Sequence, residues 1–433
     1  MNALSTLAPA TPEISDRARR QIAVHLLPFL FVLYVTNYLD RTSVAYAALG
    51  MIGDLGFSDR VFGLGAGIFF FSYVALQIPG ALLVEHWSAR RVLSSVMIAW
   101  GSLTGLTGLV HTAGQLYLAR LALGAAEAAF FPGVIVYLSH WFSREDRAKA
   151  TGNFMAAIPL SQAIASPLAG WIIGHHFLGL QGWRWLFILE GLPAILLGSI
   201  AYFFLKDQPR EANWLAPAQQ LWIEEKLRRE KLDTPQALSV GKTLRSRVVL
   251  LLAGVTFLNY FVSYGFYFWF PTMLKRQSGL SNMRLGLIGA IPYLLMFVAM
   301  LTNGWHSDRS VERRWHSAIP MFLAAIGALG VMAQFRSLSV AVLFFTMIAL
   351  VNAFLPPFWS IPTALLSRSA AAAAVGFINA VGSVAGFAAP YLLGYLSSRT
   401  GSFSLGMAVV TAAAVVGGLL IFRIPKTTGA YVS

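Results

Sequence analysis

The sequence predicts an all-α membrane protein with twelve transmembrane helices in two pseudo-symmetric six-helix bundles. Three observations support this fold class: the composition, the number of long apolar runs, and motifs repeated in the two halves of the chain. Of its 433 residues, 57% are hydrophobic and 12% are charged, whereas about 25% of the residues in a soluble domain are charged. A surface this apolar needs a bilayer as its solvent. Disordered, collagen-like and coiled-coil classes are excluded because each needs a polar or repetitive composition.

Apolar runs long enough to cross a bilayer recur along the whole chain. A helix of about 20 apolar residues spans the hydrocarbon core. The first run follows the charged segment 1–23 and is too long for a signal peptide, so we expect a retained first span. The twelve predicted spans lie near residues 24–48, 59–83, 91–111, 115–142, 147–174, 184–205, 248–274, 284–306, 315–335, 338–366, 370–398 and 403–424.

The net charge of +14 has a topological explanation. Twelve spans put both termini on one side, and 23 of the 32 lysines and arginines fall on that side, against seven on the other. This positive-inside bias predicts that both termini are cytoplasmic. Because the basic residues are divided among loops, we expect no nucleic-acid partner. The chain has no cysteine, which excludes disulfides, thiolate metal sites and cysteine nucleophiles.

One long loop divides the spans into six and six. We predict an N-terminal six-helix bundle over 1–205, a cytoplasmic linker over 206–247 and a C-terminal six-helix bundle over 248–433. In the linker, segment 214–231 has one apolar and one charged side, which predicts an amphipathic surface helix. An internal duplication, a feature of secondary transporters, is indicated by matching residues 222 or 223 apart: Glu85 and Asp308, Arg90 and Arg313, Pro167 and Pro390, and Asn37-Tyr38 and Asn259-Tyr260.

Away from the span ends, four charged residues lie within predicted spans, where each costs at least about 2.5–3.5 kcal/mol on insertion scales and is a functional candidate. They are Asp40 and Arg41 in span 1, and Arg120 and Glu127 in span 4. Arginine offers a planar fork of donors that fits a carboxylate, and a buried acid can carry a proton. This set predicts transport of an organic anion with protons. The alternative is two structural ion pairs between spans 1 and 4; Glu190, near a span end, is interpreted as structural.

The loop after span 8 carries a family motif. Residues 304–309, Gly-Trp-His-Ser-Asp-Arg, followed by Arg313-Arg314, resemble the short-loop motif of the major facilitator superfamily. The loop after span 2 is a looser copy, with Ala81 where glycine is usual. Such acids and basic pairs can meet across the halves when the inner side closes; a solvated turn is the alternative. The predicted cytoplasmic gate residues are Glu85, Arg90, Arg91, Asp308, Arg313 and Arg314.

Three further segments narrow the resemblance. They are 37–44 (Asn-Tyr-Leu-Asp-Arg-Thr-Ser-Val), 120–133 (Arg-Leu-Ala-Leu-Gly-Ala-Ala-Glu-Ala-Ala-Phe-Phe-Pro-Gly) and 356–363 (Pro-Pro-Phe-Trp-Ser-Ile-Pro-Thr). Together they resemble the anion:cation symporter family of the superfamily, and within it the bacterial tartrate, phthalate and 4-hydroxyphenylacetate transporters. The resemblance runs from about residue 20 to 424 and does not separate diacid, sugar-acid and aromatic-acid substrates.

The resemblance implies roles for residues at matching positions. Asp40 and Glu127 match acids implicated in proton coupling, and Arg41 and Arg120 match arginines that engage the substrate carboxylate. This chain departs from the family pattern at Ser43-Val44-Ala45-Tyr46 and at Ser383, where the family usually has asparagine. The other implied substrate contacts, for which packing or helix bridging is the alternative, are Tyr38, Tyr73, Gln162, Trp359 and Asn379.

The predicted function is proton-coupled symport, in which a small organic anion such as a tartrate-like, sugar-acid or aromatic carboxylate is imported by alternating access. The alternatives are a drug/proton antiporter, against which the paired arginines argue, and an organic-anion exchanger of the same fold. An enzyme is not expected, because the sequence has no nucleophile motif and no spaced set of metal ligands. We expect no cofactor and no metal. The expected form is a monomer in the inner (plasma) membrane of a bacterium, with the organic anion, protons and the lipid bilayer as partners.

Overall fold

Each predicted span corresponds to one helix or to two consecutive helices in the structure, a computed structural model that describes residues 12–232, 244–333, 337–365 and 368–425. Within these ranges the regular elements are helical, which confirms the all-α class. The N-terminal half contains α1 (Pro12–Asp54), α2 (Asp59–His86), α3 (Ala89–Thr107), α4 (Ala113–Glu127), α5 (Phe130–Trp141), α6 (Arg144–Met155), α7 (Ala157–Ile173) and α8 (Gly182–Phe204).

The linker and the C-terminal half follow in the same way. The helix expected in the linker is α9 (Pro217–Leu232), preceded by a 3-10 turn, and linker residues 233–243 lie outside the described residues. The C-terminal half contains α10 (Arg247–Ser278), α11 (Asn282–Ser310), α12 (Arg314–Met332), α13 (Leu338–Ala349), a 3-10 segment (Leu350–Phe354), α14 (Leu355–Leu365), α15 (Arg368–Thr400) and α16 (Ser404–Ile421).

Eleven helical stretches of the described residues are long and apolar enough to cross a membrane. The remaining predicted span, near 91–111, corresponds to α3, which has 19 residues. α3 is short and its first turn includes Arg90 and Arg91, which lower its mean hydropathy. α3 nevertheless packs along α8 and α4, in the position of a twelfth span.

Spans 4 and 5 are each broken, and a proline explains the break. Proline lacks an N–H, and its ring clashes with the carbonyl group four residues earlier. Pro132 lies four residues after the gap between Glu127, the end of α4, and the start of α5. Pro159 lies four residues after Met155, the last residue of α6. The first break places Glu127 at a helix end inside the bundle.

Span 10 is interrupted by the 3-10 segment 350–354, just before two consecutive prolines. Backbone carbonyl groups released by such a break need new donors within a membrane. Asn259 of α10 donates its side-chain N–H to the carbonyl oxygen of Val351 at 3.2 Å, and Asn303 of α11 donates to that of Ala353 at 2.7 Å. The two side-chain amides thus stabilise an irregular segment in the C-terminal half.

The same helix pairings occur in both halves. In the N-terminal half α3 packs on α8, α1 on α7 and α2 on α4. Six spans later α12 packs on α16, α10 on α15 and α11 on α13. Between the halves α2 packs on α15 and α7 on α11, and these two contacts are related by the same shift. The duplication read from the sequence is therefore present in the packing.

The halves meet closely at one end. We term the end with the α1–α2 turn, residues 55–58, the outer end, and the end with the α2–α3 turn, residues 87–88, the inner end. At the outer end, a Cβ on Gly170 of α7 would lie 2.5 Å from the carbonyl oxygen of Asn282 in α11, so this approach requires glycine.

An ion pair also joins the halves at the outer end. The Asp59 carboxylate at the start of α2 accepts two hydrogen bonds from the Arg276 guanidinium of α10, at 2.6 and 2.8 Å. It accepts a third from the Ser397 hydroxyl of α15 at 2.6 Å. Asp59 is thus held by two helices of the opposite half.

Candidate functional site

Two of the four predicted intramembrane charges form an ion pair. Nε of Arg41 in α1 donates to Oε1 of Glu127 at 2.6 Å, and a second guanidinium nitrogen contacts the same oxygen. The Glu127 side chain is fully buried, whereas that of Arg41 is 11% exposed. The pair therefore lies in the interior, with the arginine at its accessible edge.

Close packing of α4 on α2 positions these charges. A Cβ on Gly124 would collide with the carbonyl oxygen of Phe69, so only glycine permits the approach. The Ser72 hydroxyl of α2 donates to the carbonyl oxygen of Leu121 at 2.6 Å and fixes the register of the two helices.

Asp40 and Arg120 make no ion pair within the described residues. They are 1% and 2% exposed. Neither carboxylate oxygen of Asp40, nor Nε of Arg120, has a hydrogen-bond partner in that part of the chain. The alternative to a transport site was two structural ion pairs between spans 1 and 4. Among the described residues, only the pair Arg41–Glu127 is present. Because an unpaired buried charge is costly, these two groups are the members of the set best suited to bind a proton and an anion.

Aromatic rings surround both guanidinium groups. Cζ of Arg41 lies 4.8 Å from the ring centre of Tyr73, 5.3 Å from Tyr38 and 5.5 Å from Phe69. Cζ of Arg120 lies 4.9 Å from the same Phe69 ring. Such stacking orients a guanidinium plane while leaving its N–H groups free to bind an anion. The sequence reasoning selected Tyr38 and Tyr73 but missed Phe69, which lies one helical turn before Tyr73 on α2.

The C-terminal half contributes polar groups from three helical segments. The Tyr260 hydroxyl of α10 donates to Oδ1 of Asn379 in α15 at 3.1 Å. The Ser263 hydroxyl donates to Oδ1 of Asn352, in the 3-10 segment, at 3.2 Å. Trp359 of α14 is partly buried.

Tyr260, Ser263 and Asn352 were not among the predicted site residues. For Tyr260 a signal existed, because Asn259-Tyr260 repeats Asn37-Tyr38 of span 1. For Asn352 no local signal existed, because its position depends on the break in span 10.

Gln162 of α7 is buried, and its side-chain oxygen has no hydrogen-bond partner among the described residues. This oxygen can therefore accept a hydrogen bond. Among the described residues, Gln162 makes no hydrogen bond to the other predicted site residues. Nearby helices meet through the Thr42 hydroxyl of α1 and the Tyr267 hydroxyl of α10, which are 2.8 Å apart. Within the described residues, no three His, Cys, Asp or Glu side chains are grouped as a metal site requires.

The predicted gate acids contact residues of their own half. Glu85 lies 3.2 Å from Nε2 of His140, and Asp308 accepts from Arg313 at 2.5 Å. In the part of the chain that the structure describes, no ion pair joins the two halves at the inner end.

The remaining gate residues are also held locally. The Arg90 guanidinium lies 5.3 Å from the ring centre of Tyr202, and that of Arg91 lies 5.9 Å from Trp87. Arg314 donates to the carbonyl oxygen of Phe422. Pairing of these residues across the halves stays a prediction for a conformation that is closed at the inner end.

Comparison with known proteins gives concordant results. The model of the family described as Major Facilitator Superfamily matches residues 30–390. A protein of Agrobacterium vitis named "Putative tartrate transporter" is 38% identical, covering 96% of this chain and 96% of its own length. A "Quinolone resistance transporter" of Acinetobacter baumannii is 33% identical over 93% of this chain and 94% of its own.

Among solved structures, a bacterial homologue of the human lysosomal transporter Spinster, in an inward-facing and occupied conformation, superposes with a TM-score of 0.78. It covers 94% of this chain and 97% of its own, at 18% identity, which supports the fold alone. The resemblance to carboxylate transporters of the superfamily is confirmed by the sequence relatives. This chain therefore belongs to the Major Facilitator Superfamily and is a multi-pass membrane transporter.

Proposed function

We propose that this transporter is a proton-coupled symporter that imports a small organic anion, with a tartrate-like dicarboxylate as the first candidate. The observation that carries the proposal is the arrangement of the four buried charges. Glu127 holds Arg41, while Arg120 and Asp40 make no ion pair among the described residues. The name of the A. vitis relative supports a carboxylate as the substrate.

Coupling follows from competition for Arg41. While Glu127 is ionised, it occupies the guanidinium group that a substrate carboxylate needs. A proton on Glu127 removes the charge-assisted hydrogen bond, and Arg41 is then free to bind the substrate. Proton and anion therefore favour each other's binding, which is the thermodynamic requirement for symport.

Arg120 is proposed to bind a second carboxylate of the substrate. Its charge is permanent, and the Phe69 ring orients its guanidinium group. A proton on Asp40 would reduce the repulsion of an incoming dianion. Tyr38 and Tyr73 flank Arg41, and Gln162, Trp359 and Asn379 are proposed to complete the site, with Tyr260 and Asn352 offering hydroxyl and amide groups to a hydroxy acid.

Alternating access is proposed to use the two bundles, 1–205 and 248–433, as the moving units, joined by the linker 206–247. We propose that Glu85, Arg90, Arg91, Asp308, Arg313 and Arg314 pair across the inner end when it closes. The protein is proposed to act as a monomer in a bacterial inner membrane, with cytoplasmic termini, as the distribution of basic residues indicates.

Proteoliposomes containing purified protein test the coupling, with tartrate as the probe. In Glu127→Gln, Arg41 is permanently released, so proton-driven accumulation is expected to fall to background while tartrate–tartrate exchange persists. Glu225→Gln, on the exposed face of α9, is the matched control and should keep both activities. Undiminished accumulation by Glu127→Gln contradicts the coupling role.

Binding measurements test the anion site. Arg120→Ala is expected to weaken tartrate binding about 30-fold or more, because it removes a buried charged partner of the ligand. Normal affinity in this variant would exclude Arg120 from the site.

A drug/proton antiporter is a second candidate, and the name of the A. baumannii relative favours it. Thermal stabilisation of the purified protein separates the two functions. Stabilisation by tartrate or another dicarboxylate supports the symporter. Stabilisation by tetraphenylphosphonium, with none by any acid, supports the antiporter. An organic-anion exchanger would instead show wild-type transport in Glu127→Gln under all proton gradients.

A further inference from the structure

Glu190 of α8 is a buried carboxyl group that the proposed cycle does not use. Glu190 is only 7% exposed. The next residue, Gly191, lies where α8 crosses α3 so closely that a Cβ on Gly101 would be 2.7 Å from the Gly191 carbonyl oxygen. Glu190 therefore lies in the packed interior of the N-terminal half, where an ionised carboxylate is poorly solvated.

A serine hydroxyl is the hydrogen-bond partner of Glu190. Oε1 lies against Oγ of Ser43 in α1, while Oε2 has no hydrogen-bond partner in the described residues. The Ser43 hydroxyl also bonds the carbonyl oxygen of Leu39 at 2.9 Å. Serine has a single proton to donate. Both contacts are satisfied together when Glu190 carries a proton and donates it to Ser43.

No cation offsets a negative charge on Glu190 in the part of the chain that the structure describes. α8 packs against α1, α3 and α7. α7 contains no charged residue, and the only ones of α3 are Arg90 and Arg91, at its inner end. On α8 itself, Arg184 donates to two backbone carbonyl oxygens near the outer end.

The remaining charged neighbours of Glu190 are in the middle of α1. Arg41 is held by Glu127. Asp40 is the charged residue that interacts electrostatically with Glu190, and it precedes Ser43 by three residues, so both face one side of α1. In a region of low dielectric, a negative charge on Asp40 disfavours a second negative charge on Glu190. Asp40 also has Arg120 and Glu127 as charged neighbours, and a proton on either Asp40 or Glu190 makes ionisation of the other easier.

Hydrogen bonds between helices lie next to Ser43, toward the outer end of α1. Thr42, next to Ser43, bonds Tyr267 of the opposite half at 2.8 Å. Tyr46, one turn further along α1, bonds Ser166, whose hydroxyl donates to the Gly286 carbonyl oxygen of α11 at 2.7 Å. These links join the halves beside this face of α1, so the halves can separate at the outer end only if the links are broken.

We propose that Glu190 is a further proton-binding site of the transport cycle, coupled to Asp40 and loaded from the outer side along the Ser43 face of α1. The inference rests on the proposed proton-coupled function.

The first experiment needs no substrate. Infrared spectra of the purified protein are expected to contain a band of protonated buried carboxyl groups at neutral pH, and this band should decrease as the pH is raised. Glu190→Gln should reduce the titrating part of the band, leaving any contribution of Asp40, and Ser43→Ala should shift the frequency of the Glu190 component because a hydrogen bond is lost. Glu225→Gln is the matched control and should leave the band in place, because Glu225 lies on α9, outside the membrane-spanning helices. An unchanged band in Glu190→Gln overturns the proposal.

The second experiment measures proton uptake on tartrate binding with a pH indicator, at a pH where the infrared titration leaves the carboxyl band at half its full intensity. Glu190→Gln is expected to take up fewer protons per bound tartrate than the wild type, whereas Glu225→Gln should match the wild type. Equal uptake in Glu190→Gln would mean that Glu190 stays neutral throughout, which overturns the proposal. If the wild type binds no tartrate, the proposed substrate fails, and the infrared titration still decides whether Glu190 binds a proton reversibly.

Discussion

At the outer end an acidic residue of one half is held by the other half, whereas at the inner end the paired acids are held by their own half or by the linker. Asp59 accepts hydrogen bonds from Arg276 and Ser397 across the interface. Asp308 and Glu85 contact Arg313 and His140 within their own halves. The pairing of charges thus records which end is closed. Removing a charge pair at one end should therefore shift the population of molecules toward the conformation that is open at that end.

Of the changes considered, removing the outer ion pair is expected to increase the population that is open at the outer end the most. Asp59→Asn removes a charge-assisted interaction worth about 2 kcal/mol, which shifts the population toward outer opening by about 30-fold. A single cysteine at Ser166, introduced into this cysteine-free chain, should then react faster with a membrane-impermeant maleimide.

Asp54→Asn is the matched control for Asp59. Asp54 also lies at the outer end, but its contacts are Trp183 and Arg184 of its own half, at 3.0 and 3.7 Å. Its removal should leave the labelling rate unchanged. Equal rates in both variants would show that the ion pair across the halves does not hold the outer end closed.

A smaller effect is expected from an added methyl group at the helix contact. In Gly170→Ala, the new Cβ would lie 2.5 Å from the Asn282 carbonyl oxygen, so α7 and α11 must separate. Overpacking of this kind costs about 1–3 kcal/mol, which should slow transport and increase labelling at the outer end. Gly254→Ala is the control, because a Cβ there meets no atom within 4 Å. Wild-type transport in Gly170→Ala would show that outer closure tolerates a wider contact.

The smallest effect is expected from an inner-end charge cluster confined to one helix. Hydrogen bonds from Arg228 and Arg229 lower the pKa of Glu225 to about 2. Because the folded pKa is depressed, the stabilisation is full above the unfolded value of about 4.3 and is lost as the pH falls toward about 2. The difference in Tm between wild type and Glu225→Gln should be small at neutral pH, because the cluster is exposed, and should vanish in acid. A changed labelling rate at the outer end in this variant would link α9 to closure.

The sequence predicted the spans, the duplicated architecture and the four buried charges, because each depends on local composition or spacing. It did not predict how those charges pair. Arg41 reaches Glu127 because Gly124 lets α4 approach α2, and that distance is a tertiary property. Asp59 was not selected, since next to Ser58, the N-cap of α2, it reads as an ordinary charge in the first turn of a helix. Its role exists only after α10 and α15 are brought against it.

The Phe69 ring has a consequence for the choice of substrate. Its centre lies 5.5 Å from Cζ of Arg41 and 4.9 Å from Cζ of Arg120, so one rigid side chain contacts both guanidinium groups. A flexible spacer would let the arginines follow ligands of many lengths. For the dicarboxylate proposed as substrate, a fixed phenyl ring means that a dianion one methylene too short or too long reaches only one arginine at a time. Among dicarboxylates, chain length would then decide selectivity before any hydroxyl group is recognised.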